Sequence, residues 1–252
     1  MKLQDKVAVV TGGGSGFGEG MAHLFAQEGA IVVVADINVE GAQLVAESIV
    51  TKGGRAYAVQ VDVSQNDSME TLVDAVQKRS GKIDIFVNNA GTSHKNNSLI
   101  EVDETTFDRV YAVNVKSLYL SAIHVVPLFR QQGGGVFLTI ASTAGVRPRP
   151  GLTWYNGTKG AAITITKSMA VELAPDNIRV NAINPVAGDT PLLSQFLPGE
   201  DTPEIRQKFV DTIPLGRLSL PIDIAKAALF LVSDDAEFIT GVCMEVDGGR
   251  CV

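Results

Sequence analysis

The sequence predicts an α/β protein: a single doubly wound domain over residues 1–252, with a parallel sheet of about seven strands and helices on both faces. Two observations carry this. Short β-branched runs alternate with helical stretches along the whole chain. The runs are apolar throughout rather than at every second position, as expected for strands buried on both sides. A length of 252 residues and a hydrophobic content of 45% suit one large core.

The strand candidates, in order, are Val7–Thr11, Ile31–Asp36, Ala56–Asp62, Ile83–Asn88, Gly135–Ala141, Arg179–Asn184 and Cys243–Val246. Between them lie amphipathic or apolar stretches such as Val39–Thr51, Asp67–Arg79 and Phe107–Phe129, the last apolar nearly all round. One segment breaks the rhythm. About 30 residues at 186–215, rich in Pro, Leu and Phe, follow the sixth strand. A long insertion at such a place is often a lid or binding loop.

Composition narrows the function. A net charge of −7 with scattered Lys and Arg argues against nucleic acid or an anionic membrane as the main partner. The N-terminus has no signal-peptide layout, and no unbroken apolar run approaches bilayer length. Two cysteines, Cys243 and Cys251, make neither a disulfide framework nor a metal site. Free thiols predict the cytoplasm. His23, His94 and His124 show no metal-ligand spacing.

The first strand candidate ends in Thr11-Gly12-Gly13-Gly14-Ser15-Gly16-Phe17-Gly18. Glycines between a strand and a helix let the backbone approach a pyrophosphate at the helix N-terminus. The spacing here is G-x-x-x-G-x-G, from Gly12, Gly16 and Gly18. Asp36 closes the second strand. A carboxylate there accepts hydrogen bonds from an adenosine ribose and repels a 2′-phosphate, which predicts NAD over NADP. Asp62-Val63 and Asn88-Asn89-Ala90-Gly91 close the third and fourth strands. Asp62 is placed to meet an adenine amine, and Asn89, Ala90 and Gly91 form a close turn beside the cofactor. Each is, taken alone, also an ordinary turn.

Tyr155 and Lys159 are four apart, on one face of a helix, with Ser142 ending the fifth strand. A lysine cation about 4 to 5 Å from a phenol is worth roughly 3 to 4 kcal/mol at an effective dielectric near 20. That is about 2 to 3 pKa units, enough to bring a phenolate toward neutral pH, while burial pushes the other way. Asn114 sits inside the apolar stretch Phe107–Phe129, as a hydrogen-bonded core group or the holder of a water.

With these motifs in this order, the chain resembles the classical short-chain dehydrogenase/reductase family over essentially its whole length. Asn184-Pro185 and the closing Asp247-Gly248-Gly249 belong to the resemblance. It implies a Rossmann-type fold and a catalytic tetrad of Asn114, Ser142, Tyr155 and Lys159. Lys159 would also hold the nicotinamide ribose, and Asn114 would fix a relay water behind it. The resemblance further implies that the stretch containing Pro185, Gly188 and Thr190 receives the nicotinamide. Val186 departs from it, since the family usually has Gly there; this puts the local backbone path in question, with Gly188 as a possible relief.

The expected activity is reversible hydride transfer between NAD(H) and a secondary alcohol or ketone. Two alternatives are an NADPH-dependent 3-oxoacyl-thioester reductase and a catalytically silent dinucleotide-binding sensor. Apolar surface on Phe107–Phe129 and Tyr155–Leu173, including Val110, Val113, Leu118, Leu120, Ile163, Ile165 and Met169, predicts a homotetramer. Four potential cations, His94, Lys95, Arg147 and Arg149, lie on loops at the carboxyl edge of the sheet. They predict a small substrate with an anionic or strongly polar group; the alternative is that they face away. Leu152, Trp154, Leu192, Leu193 and Phe196 are the expected apolar wall and lid.

Overall fold

The computed structural model describes residues Met1–Val252. Seven strands form one sheet: β1 (Val7–Thr11), β2 (Ile31–Asp36), β3 (Arg55–Gln60), β4 (Ile85–Asn88), β5 (Gly135–Ile140), β6 (Ile178–Pro185) and β7 (Cys243–Val246). Their order is β3-β2-β1-β4-β5-β6-β7, every pair parallel. The order reverses between β1 and β4. In such sheets the crevice beyond the carboxyl ends at the reversal is where ligands bind.

Side chains alternate across the sheet as strand geometry requires. Ala8, Val10, Val32 and Val34 pack on one face, with Met21 and Phe25 of α1 (Gly16–Gln27), Val45 and Ile49 of α2 (Val39–Thr51), and the C-terminal helix. Val7, Val9, Val33, Phe86 and Phe137 pack on the other, with Leu72 and Val76 of α3 (Asn66–Ser80) and residues of the two central helices. Both faces are covered, which explains strands that are apolar throughout.

The bounds of β3, β4, β5 and β6 differ by one or two residues from those expected, and two differences matter for the site. β3 stops at Gln60, so Asp62 lies in the turn beyond it. There Asp62 Oδ1 accepts from the Ser64 N–H (2.9 Å) and hydroxyl (2.6 Å). The expected single helix Phe107–Phe129 is three pieces: α4 (Glu104–Tyr111), a π-helical turn (Ala112–Lys116) and α5 (Ser117–Gln132). This stretch is long and apolar enough to cross a membrane, yet Val110, Leu120, Val125 and Phe129 are fully buried in the protein.

α6 (Thr153–Leu173) carries the Tyr155/Lys159 pair. The segment at 186–215 contains α7 (Leu193–Phe196) and α8 (Pro203–Val210), the latter capped by Thr202, whose hydroxyl accepts from the Ile205 N–H. α9 (Pro221–Val232) then packs against α1. Val186 needs no left-handed backbone: outside glycine, positive φ occurs only at Asp5 and Asn177. It continues β6, donating its N–H to Val246 O at 3.3 Å.

Phe137 links the strand layer to α5, with its ring 5.0 Å from Phe129 and 6.0 Å from Phe86. We predict that Phe137→Ala costs about 3 to 5 kcal/mol, the range for emptying a buried aromatic site. Urea unfolding measures it; a loss below about 1 kcal/mol would show that the core refills the gap.

Candidate active site

The carboxyl ends of β1, β2, β4, β5 and β6 border one cavity of about 640 Å³. Gly12, Ser15, Gly16 and Phe17 line its first wall. Gly12 (φ +62°) and Gly16 (φ +57°) take left-handed backbone that glycine adopts without strain. A Cβ on Gly12 would come 2.9 Å from Ala90 Cα. Ser15 stands at the N-cap of α1 with no side-chain cap bond, so the first N–H groups of that helix face the cavity end unspent. This is a cradle for a phosphate group. Gly18 does not border the cavity. It packs so tightly that a Cβ would lie 2.1 Å from Gly12 O, so its place is structural.

Thr11 and Asn89 hold the cradle. The Thr11 hydroxyl donates to Val87 O (3.0 Å) and accepts from the N–H of Asn89 (3.0 Å) and Ala90 (3.1 Å). The Asn89 amide donates to Thr11 O and Gly12 O. Asp36 accepts from the Gly14 N–H at 2.9 Å and the Asn38 N–H at 2.9 Å, and lines the cavity with Ile37. No Lys or Arg follows it to receive a 2′-phosphate. Asp62, Val63, Ala90, Gly91, Pro185, Gly188 and Thr190 also border the cavity. Gly188 is required by Phe17, since a Cβ there would meet the ring at 2.3 Å. Glycine cradle, free helix N-terminus and ribose-facing carboxylate together fit NAD.

Ser142, Tyr155 and Lys159 border the opposite end. Ser142 lies two residues beyond β5 in extended backbone, and its Oγ accepts from the Ala144 N–H at 3.0 Å. Lys159 Nζ donates to Ile140 O at 2.9 Å and lies 5.8 Å from the Tyr155 ring centre. Both side chains are buried. Burial pushes Tyr155 up to about 12, against smaller downward pulls from the Ser142 hydroxyl and the Arg149 charge. Burial pushes Lys159 down to about 8. In the chain by itself, burial thus opposes the expected drop of Tyr155 toward neutral pH. Desolvation of the phenolate wins, and the lysine that should oppose it is itself driven toward its neutral form.

Asn114 stands in the π-helical turn, where its amide is fully engaged. Oδ1 accepts from the Thr92 N–H (2.9 Å), and Nδ2 donates to Thr92 O (2.8 Å) and the Thr158 hydroxyl (3.0 Å). It ties the loop after β4 to α6 and does not border the cavity. Its side chain makes the bonds of a core group, with both amide hydrogens spent within the chain.

The expected substrate residues divide. Leu152 lines the cavity, as do Leu192 and Phe196, whose ring lies 5.1 Å from that of Tyr155. Trp154 does not; it donates to Leu99 O at 3.0 Å and sits edge-on to Phe107, one helical step away from the Tyr155 face. Leu193 is buried behind the wall. His94 is buried outside the cavity, its Nδ1 2.8 Å from Lys95 O, and Lys95 is exposed. Arg147 turns away and donates to Arg250 O. Arg149, two residues on, is the cation of this loop that reaches the cavity. Gln195 and Arg109 also border it, and no local pattern marked either. Gln195 is fixed by accepting from the Ser93 N–H.

Comparison with known proteins agrees with this geometry. Residues 12–250 match the family model described as Enoyl-(Acyl carrier protein) reductase. The chain is 52% identical over 250 residues to 4-formylbenzenesulfonate dehydrogenase of Comamonas testosteroni, covering 99% of each. The crystal structure of 3-ketoacyl-(acyl-carrier-protein) reductase from Brucella melitensis complexed with NADH superposes with a TM-score of 0.93. The two are 48% identical, covering 99% of this chain and 100% of that one. A 7 alpha-hydroxysteroid dehydrogenase complexed with NADH and 7-oxo glycochenodeoxycholic acid gives a TM-score of 0.93 at 39% identity, covering 98% and 95%. A nucleotide cradle, a serine, a buried tyrosine and a lysine thus meet in one crevice on a sheet shared with these oxidoreductases, and the chain belongs to the short-chain dehydrogenase/reductase family.

Proposed function

We propose that this chain catalyses reversible hydride transfer between NAD(H) and a secondary alcohol or ketone, with Tyr155 moving the proton. One observation carries the reading. A single cavity joins the glycine cradle and Asp36 at one end to Ser142, Tyr155 and Lys159 at the other. NAD(H), bound there, supplies or accepts the hydride. Gly12, Ser15 and Gly16 would hold its phosphates, Asp36 its adenosine ribose, and Thr190 its carboxamide. Asp36 also disfavours the NADPH-dependent thioester reductase, because a 2′-phosphate would face a carboxylate.

The roles of the residues follow from their chemistry. In oxidation Tyr155 Oη takes the carbinol proton; in reduction it returns one. The Ser142 hydroxyl donates to the substrate oxygen, where charge develops. Lys159 stabilises the tyrosinate, and Asn114 keeps α6 in register through Thr158. The substrate is small, with an anionic or strongly polar group. By likeness to the dehydrogenase of 4-formylbenzenesulfonate it bears a ring, which Leu152, Leu192 and Phe196 can cover.

Tyr155→Phe should lower kcat by at least roughly 10²-fold, the low end of general acid–base contributions. NADH affinity, followed by fluorescence, should change little. Turnover near the wild-type rate would sink the assignment.

Stability should depend on pH through Lys159. Its folded value of about 8 lies below its ordinary 10.5. Between pH 8 and 10.5 the unfolded chain keeps a proton that the folded chain lacks, so stability rises with pH. Tyr155 does the reverse between pH 10 and 12, where the folded chain keeps the extra proton. Urea midpoints at pH 8 and pH 9.5 should therefore rise less in Lys159→Met than in wild type. Equal rises in both would show that Lys159 is not desolvated.

The assembly is a homotetramer. Val110, Leu118 and Leu120 are already buried within one chain, so they do not argue for a partner. Tyr119 (61% exposed) and Ile123 (41%) on α5 and Val171 (81%) on α6 do. Sedimentation of wild type should give a tetramer and Tyr119→Glu/Val171→Glu a smaller species. A monomer for wild type at micromolar concentration contradicts this. The free Cys243 and Cys251 thiols support a place in the reducing cytoplasm, which cell fractionation tests.

A further inference from the structure

Arg149 borders the cavity on the loop that leaves β5, and its Nη2 is buried with no hydrogen-bond partner. Its guanidinium carbon lies 4.6 Å from the centre of the Phe209 ring, a cation–π contact. Arg250 carries two further buried N–H groups without partners, Nε and Nη1. It does not border the cavity. Burial and the nearby Arg250 charge hold Arg149 at about 10, still protonated at neutral pH. Two half-buried guanidiniums, close enough to repel and with buried nitrogens short of acceptors, form an arrangement that an anion completes.

The charges of the cavity are segregated. Its two carboxylates, Asp36 and Asp62, close β2 and follow β3, at one side of the sheet. Its cations, Arg109, Arg149 and Lys159, belong to the elements around β4 and β5. No Asp or Glu borders that second end. Arg109 is exposed, so Arg149 is the desolvated donor available beside Tyr155.

We propose that Arg149 binds a carboxylate or sulfonate on the substrate while the carbinol of the same molecule meets Ser142 and Tyr155, with Arg250 adding charge from outside the cavity. The site is thus selective for small ring-bearing alcohols that carry an anion away from the reacting carbon. This rests on the redox reading above. It replaces Arg147 and Lys95, which face elsewhere.

The test pairs 4-(1-hydroxyethyl)benzoate with its neutral amide. Wild type should prefer the carboxylate in kcat/KM, and Arg149→Gln should cut that ratio roughly 10- to 100-fold, one to two steps of 1.4 kcal/mol. Arg149→Lys, which keeps charge but loses the fork, should fall between. Equal losses on both alcohols, or a wild-type preference for the amide, overturn the proposal. Calorimetry with NADH-saturated protein gives a second readout independent of turnover. Benzoate should bind wild type and not Arg149→Gln, and benzamide should discriminate neither. Inorganic phosphate binding as tightly as benzoate would mark a general anion site and overturn the substrate assignment. Arg149-dependent benzoate binding with neither alcohol oxidised supports the anchor and counts against the redox reading alone.

Discussion

The site depends on the lock between the ends of β1 and β4. One threonine hydroxyl and one asparagine amide join two strands at the point where the sheet order reverses. Thr11 receives two N–H groups from the turn after β4, and Asn89 returns two bonds to the glycine loop. These bonds, with the Asp36 carboxylate on the Gly14 N–H, hold the loop in place as a cradle. They also explain why glycine at position 12 is required by geometry: the locked turn of Ala90 passes where a Cβ would be. The amide of Asn89 is spent on the backbone it holds.

Around that lock the cavity is electrically divided. Carboxylates stand at the β2–β3 side and cations at the β4–β5 side. Both members of the Tyr155/Lys159 pair are desolvated, so each is pushed toward its neutral form. At neutral pH Tyr155 is then a phenol, while Lys159 still keeps most of its charge. Ser142 and Arg149 lie near enough to pull the tyrosine value downward.

Much of this was legible in the sequence. β1, β2 and β7 fall where β-branched runs and turn residues place them. Gly12, Gly16, Asp36 and the Tyr155/Lys159 pair border one cavity because each follows or ends a strand or shares a helix face. Periodicity also held information that a simple reading misses. Leu152, three residues before Tyr155, shares its face, whereas Trp154 stands about 100° away on the helix and meets Phe107 instead. The π-helical turn at Ala112–Lys116 has no local signature, because a stretch apolar nearly all round shows no phase for an extra residue to shift. Arg147-Pro148-Arg149-Pro150 could not say which guanidinium turns inward. The choice is made by Phe209 and Arg250, far along the chain.

The contact between Phe17 and Gly188 has a consequence in time. The ring that opens α1 presses on the segment following β6, and Gly16 lies against Thr190, with 3.3 Å between its Cβ position and the threonine side chain. The phosphate cradle and the strip that leads into the substrate wall thus share a surface. Close-packed surfaces do not slide independently, so a displacement of either one would reach the other at once.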